Sequence, residues 1–556
     1  MERNAIIATV LVILILLGYQ WYLARQEAPI HEAPRSAAPQ EQKAAPATTM
    51  VQAAPAAPAS RPKSYTPTAQ LGLAPKDITV ETPLMRVVLS TAGARVTSWQ
   101  LKKYRTDSGA PVDLVAAHGG SIRLGALSAS VDAEPMDSVF EVDKERLDLN
   151  QTGTAQTLTF KQVTSAGIQL EKQLTFHTDG YAVDVNLVAR NLASEGVPVQ
   201  PRIVWGPGIR NSTDKSASTV HPPMLWVDGK RVQEDLAKLN GERVVDGKLS
   251  WVALQDTYFA AALLPKDKDL HALVAKAPED QGIVGLLGQK QTIAPGTAVD
   301  MKAEIYAGPR DLDTLKAVGQ DLDQLIDLGW FDFLARPALW LLKFLYHYTG
   351  NYGIAIILIT ILQKIAFYPL THKSMRSMQA MQAIQPKVQA LQERYKNNAQ
   401  KKQEETMALY RKHGVNPMGG CLPMLVQIPI FIALYNALSS SVEMWQAHFL
   451  WIRDLTQPDS LFMLDIYGAT RNVGNILALL MGVSMWVQQK MSPTTGDPRQ
   501  AQMMLWTMPI IFTFMFWSFP SGLVLYWLVN NILQVGQQWL INRGAARPSA
   551  TEGQPA

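Results

Sequence analysis

A single cysteine, Cys421, in 556 residues excludes an intrachain disulfide and any metal site built from several thiolates. It reads as a small buried side chain at a helix start. The nine histidines are scattered, and no nucleotide-binding motif or pairing of nucleophile and base is visible. Charged residues make up only 18% of the chain and the net charge is +4, which gives no ground for direct, sequence-specific nucleic-acid binding. The second half lacks acid above all. Its long apolar runs contain no Asp or Glu, although one of them carries a lysine well inside its ends.

Those runs set the organisation. Residues 5–23 (AIIATVLVILILLGYQWYL) are uncharged and long enough to cross about 30 Å of hydrocarbon. A cleaved signal peptide is the rival, but the apolar core is too long for one and no small-x-small site follows Leu23. An uncleaved anchor with Trp21 and Tyr22 at the interface is the expectation. Further spans are expected near 351–370, 421–440, 473–490, 503–519 and 521–541. The last two are joined only by Phe519-Pro520-Ser521-Gly522, as in a tight antiparallel hairpin. Segment 329–347 is aromatic but carries Asp332, Arg336 and Lys343, so it reads as a helix lying in the interface. Loop 371–420 has a net charge of +6 and loop 441–472 a net charge of −2. The first is therefore expected in the cytoplasm, with both termini, and region 24–350 on the far side.

Residues 28–70 are rich in Ala and Pro and read as an extended tether that cannot bury a core. From about Ile78 the pattern alternates with period two, as in MRVVLS, TLTFKQV, IQLEKQLTF and YAVDVNLVARN. This predicts one large β-sandwich, followed by a helix over 311–327. His118, His177 and His221 do not gather into a motif. Glu171 and His177 share strand parity, which half of all pairs do by chance. A binding or scaffold role is expected here rather than catalysis.

Loop 371–415 is helical by pattern. Met375, Met378 and Met381 recur every three residues, Asn397-Asn398 marks a turn, and Gly414 stops a second arm. The plain reading is a solvated hairpin packed on its own methionines. The sharper one is a soft docking surface, in which Arg394, Lys401 and Lys402 supply charge and the methionines adapt to varied apolar segments.

Lys364 lies inside the run 352–370 (YGIAIILITILQKIAFYPL). A charge within lipid costs at least about 2.5–3.5 kcal/mol and so faces protein or water. Leu370 is about 9 Å further along the helix, so the stem could also snorkel to the interface. Polar residues elsewhere favour a wet cavity: Asn530, Gln534 and Gln537 on one helical face, Gln427, Ser484 with Gln488, and Thr360 on the face of Lys364. Each alone reads as interhelical glue worth about 0.6 kcal/mol. Together with an unpaired cation they suit a groove that attracts acidic residues of a passing polypeptide. Phe431, Met485, Phe512 and Phe516 are candidates for its hydrophobic slide.

The strings NPMGGCLPMLVQIPIFIALYNAL (416–438), QKMSPTT (489–495), FPSGLVLYW (519–527), NYGIAIILIT (351–360) and QPKVQAL (385–391) closely resemble the bacterial YidC membrane protein insertases of the Oxa superfamily. The resemblance spans essentially the whole chain. It implies a multi-domain inner-membrane protein with N and C termini in the cytoplasm: anchor 1–24, linker 25–75, periplasmic β-supersandwich 76–328, interfacial helix 329–350, five-helix insertase core 351–542 with its cytoplasmic hairpin, and tail 543–556. It implies a groove open to cytoplasm and lipid whose cation, most familiar as arginine, is here Lys364; lysine keeps the charge but loses the bidentate fork. It implies nascent membrane proteins, the Sec translocon, the ribosome and the lipid bilayer as partners. The short tail carries only Arg543 and Arg547, so ribosome contact would rest on the hairpin. No cofactor, metal or covalent catalysis is expected. Two rivals are a secondary transporter, which would need inverted repeats, and an anchored periplasmic carbohydrate enzyme, which leaves five spans without purpose.

Overall fold

The computed structural model describes residues 74–106, 108–115, 127–131, 138–150, 155–209, 221–239, 241–277, 281–396, 398–414, 422–460, 462–466, 469–491 and 498–545. The expected anchor, nearly all of the linker, His118, Cys421 and the end of the tail lie outside the described residues. The chain divides into two compact units, one containing Ala383–Asn416 and the other Pro62–Gln382 with Pro417–Ala556.

In the larger unit the N-terminal part is built from strands. Ile168–Phe176 alternates buried and half-buried residues without a break, and it pairs antiparallel with Ala182–Asn191, which in turn pairs with Ala298–Pro309. These strands lie within a nine-stranded sheet accompanied by two five-stranded sheets. The inward side chains form one continuous core. Trp99 from one five-stranded sheet meets Trp205 from the other edge-on at 5.7 Å. One inward position of Ile168–Phe176 is a lysine. The Lys172 ammonium is buried, donating to the Gly93 carbonyl at 2.9 Å and standing over the Phe140 ring.

The single helix expected over 311–327 is instead two pieces, α1 (Leu312–Val318) and a 3-10 turn (Leu322–Leu325). Asp311 caps α1 by accepting from the Thr314 amide at 2.9 Å. Gly319, Gln320 and Asp321 then take φ of 86°, 50° and 58°, which ends the helix. Carbonyls freed in the turn accept from side chains of the strands: Asp321 from Trp251 Nε1 at 3.1 Å and Gln324 from Arg231 Nη2 at 2.6 Å. Tertiary hydrogen bonds thus replace helical ones.

Helix α2 (Asp332–Thr349) buries Ala335, Leu339 and Leu342 and exposes Phe333, Trp340 and Tyr348. Its inner face converges with Ile356, Ile359, Leu434, Leu438 and Tyr526. Helix α3 (Tyr352–Ala383) does not end near Leu370 but runs on for 32 residues through Pro369. Among the described residues it is the helix long and apolar enough to cross a membrane unaided.

The smaller unit comprises α4 (Gln385–Arg394) and α5 (Ala399–Lys412). Asn398 caps α5 by accepting from Lys401, and Gly414 at φ 64° follows its end. Arg394 and Lys401 stand near the Tyr395 ring. Back in the larger unit, α6 (Leu422–Ser439), α7 (Ile476–Met491), α8 (Pro498–Met515) and α9 (Ser521–Ala545) complete the helical half. The segment between α6 and α7 carries an antiparallel strand pair, Phe462–Ile466 with Ala469–Gly474, which sequence periodicity did not suggest.

Candidate functional site

Helices α3, α6, α7, α8 and α9 surround a cavity of about 370 Å³. Lys364, Thr371 and Ser374 line it from α3, Gln427 from α6, Gln488 from α7, and Asn530, Asn531, Gln534 and Gln538 from α9. Phe431, Met485, Phe512 and Trp527 supply its apolar wall. No described lining residue is acidic.

The half-buried Lys364 donates from Nζ to Gln534 Oε1 at 2.6 Å, so the ammonium is turned to the neighbouring helix. Further along the same seam Gln537 Nε2 donates to Thr371 Oγ1 at 2.9 Å, and Gln379 to Asn542 at 2.8 Å. Across the cavity Gln427 donates to the Tyr526 hydroxyl. The Asn530 Oδ1 atom is buried with no partner, a group whose desolvation is uncompensated until something donates to it. The aromatic wall is interlocked: Phe431 meets Trp527 edge-on at 4.9 Å, and Phe516 lies 5.1 Å from the same ring.

Sequence spacing thus brought Lys364, Gln427, Gln488, Asn530, Gln534, Phe431, Met485 and Phe512 to one cavity. Four expectations are corrected. Thr360 is fully buried and donates back to the Ile356 carbonyl at 2.6 Å, its hydroxyl spent within its own helix. Ser484 does not reach the cavity; it holds Asn531 Nδ2 at 3.1 Å from behind. Phe516 is fully buried beneath Phe431 and Phe512 and supports the wall without lining it. Met375, Met378 and Met381 are not on the hairpin, because α3 continues through them; Met375 and Met378 line the cavity and Met381 is buried. Lys364 has no acidic partner among the described lining residues, as expected, and its hydrogen bond goes to a neutral amide. Thr371 and Ser374 were missed, whereas Gln538, one of the amides of the last span, continues the four-residue spacing of Asn530 and Gln534.

A second cluster had no sequence signal. Lys343 Nζ on α2 lies 2.5 Å from Asp311, 2.8 Å from Asp313 and 2.6 Å from Glu443. Burial would raise Asp311, but the hydrogen bond with Glu443, Lys343 and Thr314 hold it well below the usual carboxylate range. Burial pushes Glu443 up, against the pull of Lys343. Beside this cluster Trp445 packs edge-on against Tyr258 at 4.8 Å and donates to the Arg105 carbonyl at 3.0 Å. The segment following α6 is thereby fastened to the β domain. Within that domain Glu171 pairs with Lys161 and His177 with Asp184, so Glu171 and His177 do not meet. Burial, helped by Arg310, lowers His221 to about 4, leaving it neutral near pH 7.

Fold and cavity define a class: a helical bundle joined to a large β domain, with a polar, cationic cavity in the bundle in place of a sealed apolar core. Residues 77–341 match the family described as YidC periplasmic domain, and residues 344–548 the family described as 60Kd inner membrane protein. The membrane protein insertase YidC of Syntrophus aciditrophicus is 37% identical over 563 residues, covering 98% of this chain and 100% of that one. That of Geotalea daltonii is 38% identical over 558 residues, covering 98% and 99%. A crystal structure of an active YidC insertase is 19% identical, with a TM-score of 0.36, over 83% of this chain and 92% of that one. The chain belongs to the YidC family of membrane protein insertases, inner-membrane proteins with a periplasmic domain.

Proposed function

We propose that this chain receives hydrophobic segments of nascent membrane proteins from the cytoplasm in the α3–α9 cavity and releases them sideways into the bilayer. Five core helices span the membrane behind the anchor 1–24, with both termini cytoplasmic and 76–328 periplasmic. The observation that carries this reading is a single ammonium, Lys364, in an amide-lined cavity whose described lining holds no acid. It attracts carboxylates in the polar flank of the entering segment, whose unsatisfied groups would each cost several kcal/mol in hydrocarbon. Gln427, Gln488, Asn530 and Gln534 offer that flank donors and acceptors, while Phe431, Met485 and Phe512 accept its apolar part. Burial of the segment in lipid, at about 0.8 kcal/mol per methylene, supplies the driving force without covalent catalysis. A membrane potential adds about 2.3 kcal/mol per charge per 100 mV for an acidic tail moving outward. The β domain serves as scaffold and contact for the Sec translocon, and Arg394, Lys401 and Lys402 on the cytoplasmic hairpin meet the ribosome.

The test uses the purified full chain in liposomes with a small single-span client carrying an acidic translocated tail. Lys364→Ala should lower its insertion by about tenfold, and Lys364→Arg should retain it. Equal insertion by all three proteins overturns the role of the charge. Solute flux in place of insertion would turn the reading toward a transporter.

A further inference from the structure

The stem of Lys364 is long enough to carry its charge out of the cavity toward the end of α3 that continues past Leu370, where water would solvate it. It does not do so. Its ammonium donates at 2.6 Å to Gln534, a side chain of α9 at the four-residue spacing that also places Asn530 and Gln538 in the cavity. An amide is an unusual choice for this position. A carboxylate of the same shape would hold a lysine more strongly, since it adds the attraction of opposite charges to the hydrogen bond. It would also cancel the charge. Gln534 accepts the bond and adds none.

We propose that Gln534 is a specificity-determining positioning residue: it pins the Lys364 ammonium inside the cavity without neutralising it, so that the groove favours segments bearing a carboxylate over neutral ones. The inference rests on the groove reading above and names the residue that sets its selectivity. The remaining donors of the ammonium stay available to a client carboxylate, which meets a charge already fixed in place. Toward the client's carboxylate, Gln534 acts through the Lys364 ammonium that its Oε1 atom holds. The same bond also joins α3 to α9, so a purely structural role has to be separated from this one.

Gln534→Glu separates them, because it keeps the shape and the bond to Lys364 and removes only the net charge. Two readouts are taken on the full chain in liposomes. The first is insertion of paired single-span clients with acidic or neutral tails. The second uses Ile428→Cys, a cavity-lining position, in a Cys421→Ser background. There the ratio of alkylation rates by anionic and neutral thiol reagents of equal size reports the local potential. Gln534→Glu is expected to lower both the acidic-to-neutral insertion ratio and the reagent ratio by about tenfold, matching Lys364→Ala. The exchanged pair, Lys364→Gln with Gln534→Lys, keeps one ammonium bonded to one amide and is expected to hold both ratios within about threefold of the starting protein. It shows whether the cavity still folds with a charge on α9. If Gln534→Glu inserts both clients as well as the parent, with an unchanged reagent ratio, Gln534 is only a brace between helices and the inference is overturned. If Lys364→Ala itself leaves the reagent ratio unchanged, the groove reading fails first.

Discussion

Replacing Lys343 by methionine should undock the segment after α6 from the β domain. The lysine joins three stretches that are remote in sequence: the start of α1, the middle of α2 and the 3-10 turn Val442–Met444. Asp313 is 72% exposed, and its share is at most about 1 kcal/mol. Asp311 and Glu443 are only 17% and 14% exposed, so they set the cost. Removing one partner from a buried ion pair costs about 3–5 kcal/mol. The lower end applies, because Asp311 keeps the Thr314 amide and hydroxyl and Glu443 keeps the Ser441 hydroxyl. About 3 kcal/mol is more than a hundredfold in the docking equilibrium. Hydrogen exchange of the amides of Trp445 and Ala447, which bond to Val442 and Met444, reads it directly. The pH dependence supplies a second check. Asp311 is depressed in the folded protein, so its contribution is present above about pH 3.9 and is lost as pH falls through its folded value. Burial would lower Lys343, but Glu443, Asp311 and Asp313 raise it, so its contribution is present below about pH 10.4 and is lost as pH rises through its folded value. Glu443 is raised, and its bound proton favours docking less as pH climbs through its folded value. The parent should therefore undock in acid. In Lys343→Met both carboxyls are buried without a cation, so acidification should instead tighten docking. A change in exchange below about fivefold, or an unaltered acid response, would mean that Lys343 is merely a solvated charge.

Two further substitutions probe the same end of the bundle. Gly353→Ala would bring a Cβ within 2.1 Å of the Phe449 ring, and a loss of about 1–3 kcal/mol in thermal unfolding of the detergent-solubilised chain is expected. No loss would mean the ring swings aside freely. Trp445→Ala removes a buried ring from Tyr258 and Phe259 together with its bond to Arg105, and should cost about 3–5 kcal/mol by the same measurement. It should also expose the chain near Gln446 to protease; a cost below about 1 kcal/mol would contradict the packing described.

What could be read from the sequence followed from local rules. Ile168–Phe176 was legible because one face of the strand is core and the other solvent. Lys364 and Gln534 were legible because an ionisable or amide group within an apolar run has few stable places to point. The length of α3 was not, since the apolar run ends near Leu370, just after Pro369. In the fold the helix continues through it, and the Thr371 hydroxyl donates back to the carbonyls of Phe367 and Tyr368. Misplacing that end misplaced Met375 and Met378, which turned from a docking surface into cavity wall. The Lys343 cluster was illegible for a different reason: its partners are brought together only by tertiary packing, and nothing in their own neighbourhoods marks them as a set. The polar seam between α3 and α9 lies between these cases, because the residues were visible but their pairing was not.

The two ends of the helical bundle are built on opposite principles. At the end where α3, α7 and α9 begin, loop groups fill the free backbone positions. Asn351 accepts from the Ile354 amide, Asp459 from that of Leu477 and Asn475 from that of Ala478, while the Ser521 and Gly522 amides donate to the carbonyls of Gln457 and Leu455. Lys343 and Trp445 fasten the same loops to the β domain. The cavity begins beyond this layer and keeps what the capped end has used up: an ammonium with donors to spare, a buried Asn530 oxygen without a partner, and a row of amides. A polypeptide entering such a cavity meets hydrogen-bonding capacity on one side and a floor of capped helix ends on the other. Under the proposed function, lateral exit into lipid is its lowest-cost route, and Lys343→Met, assayed in the same liposomes, should release trapped solute before it slows insertion.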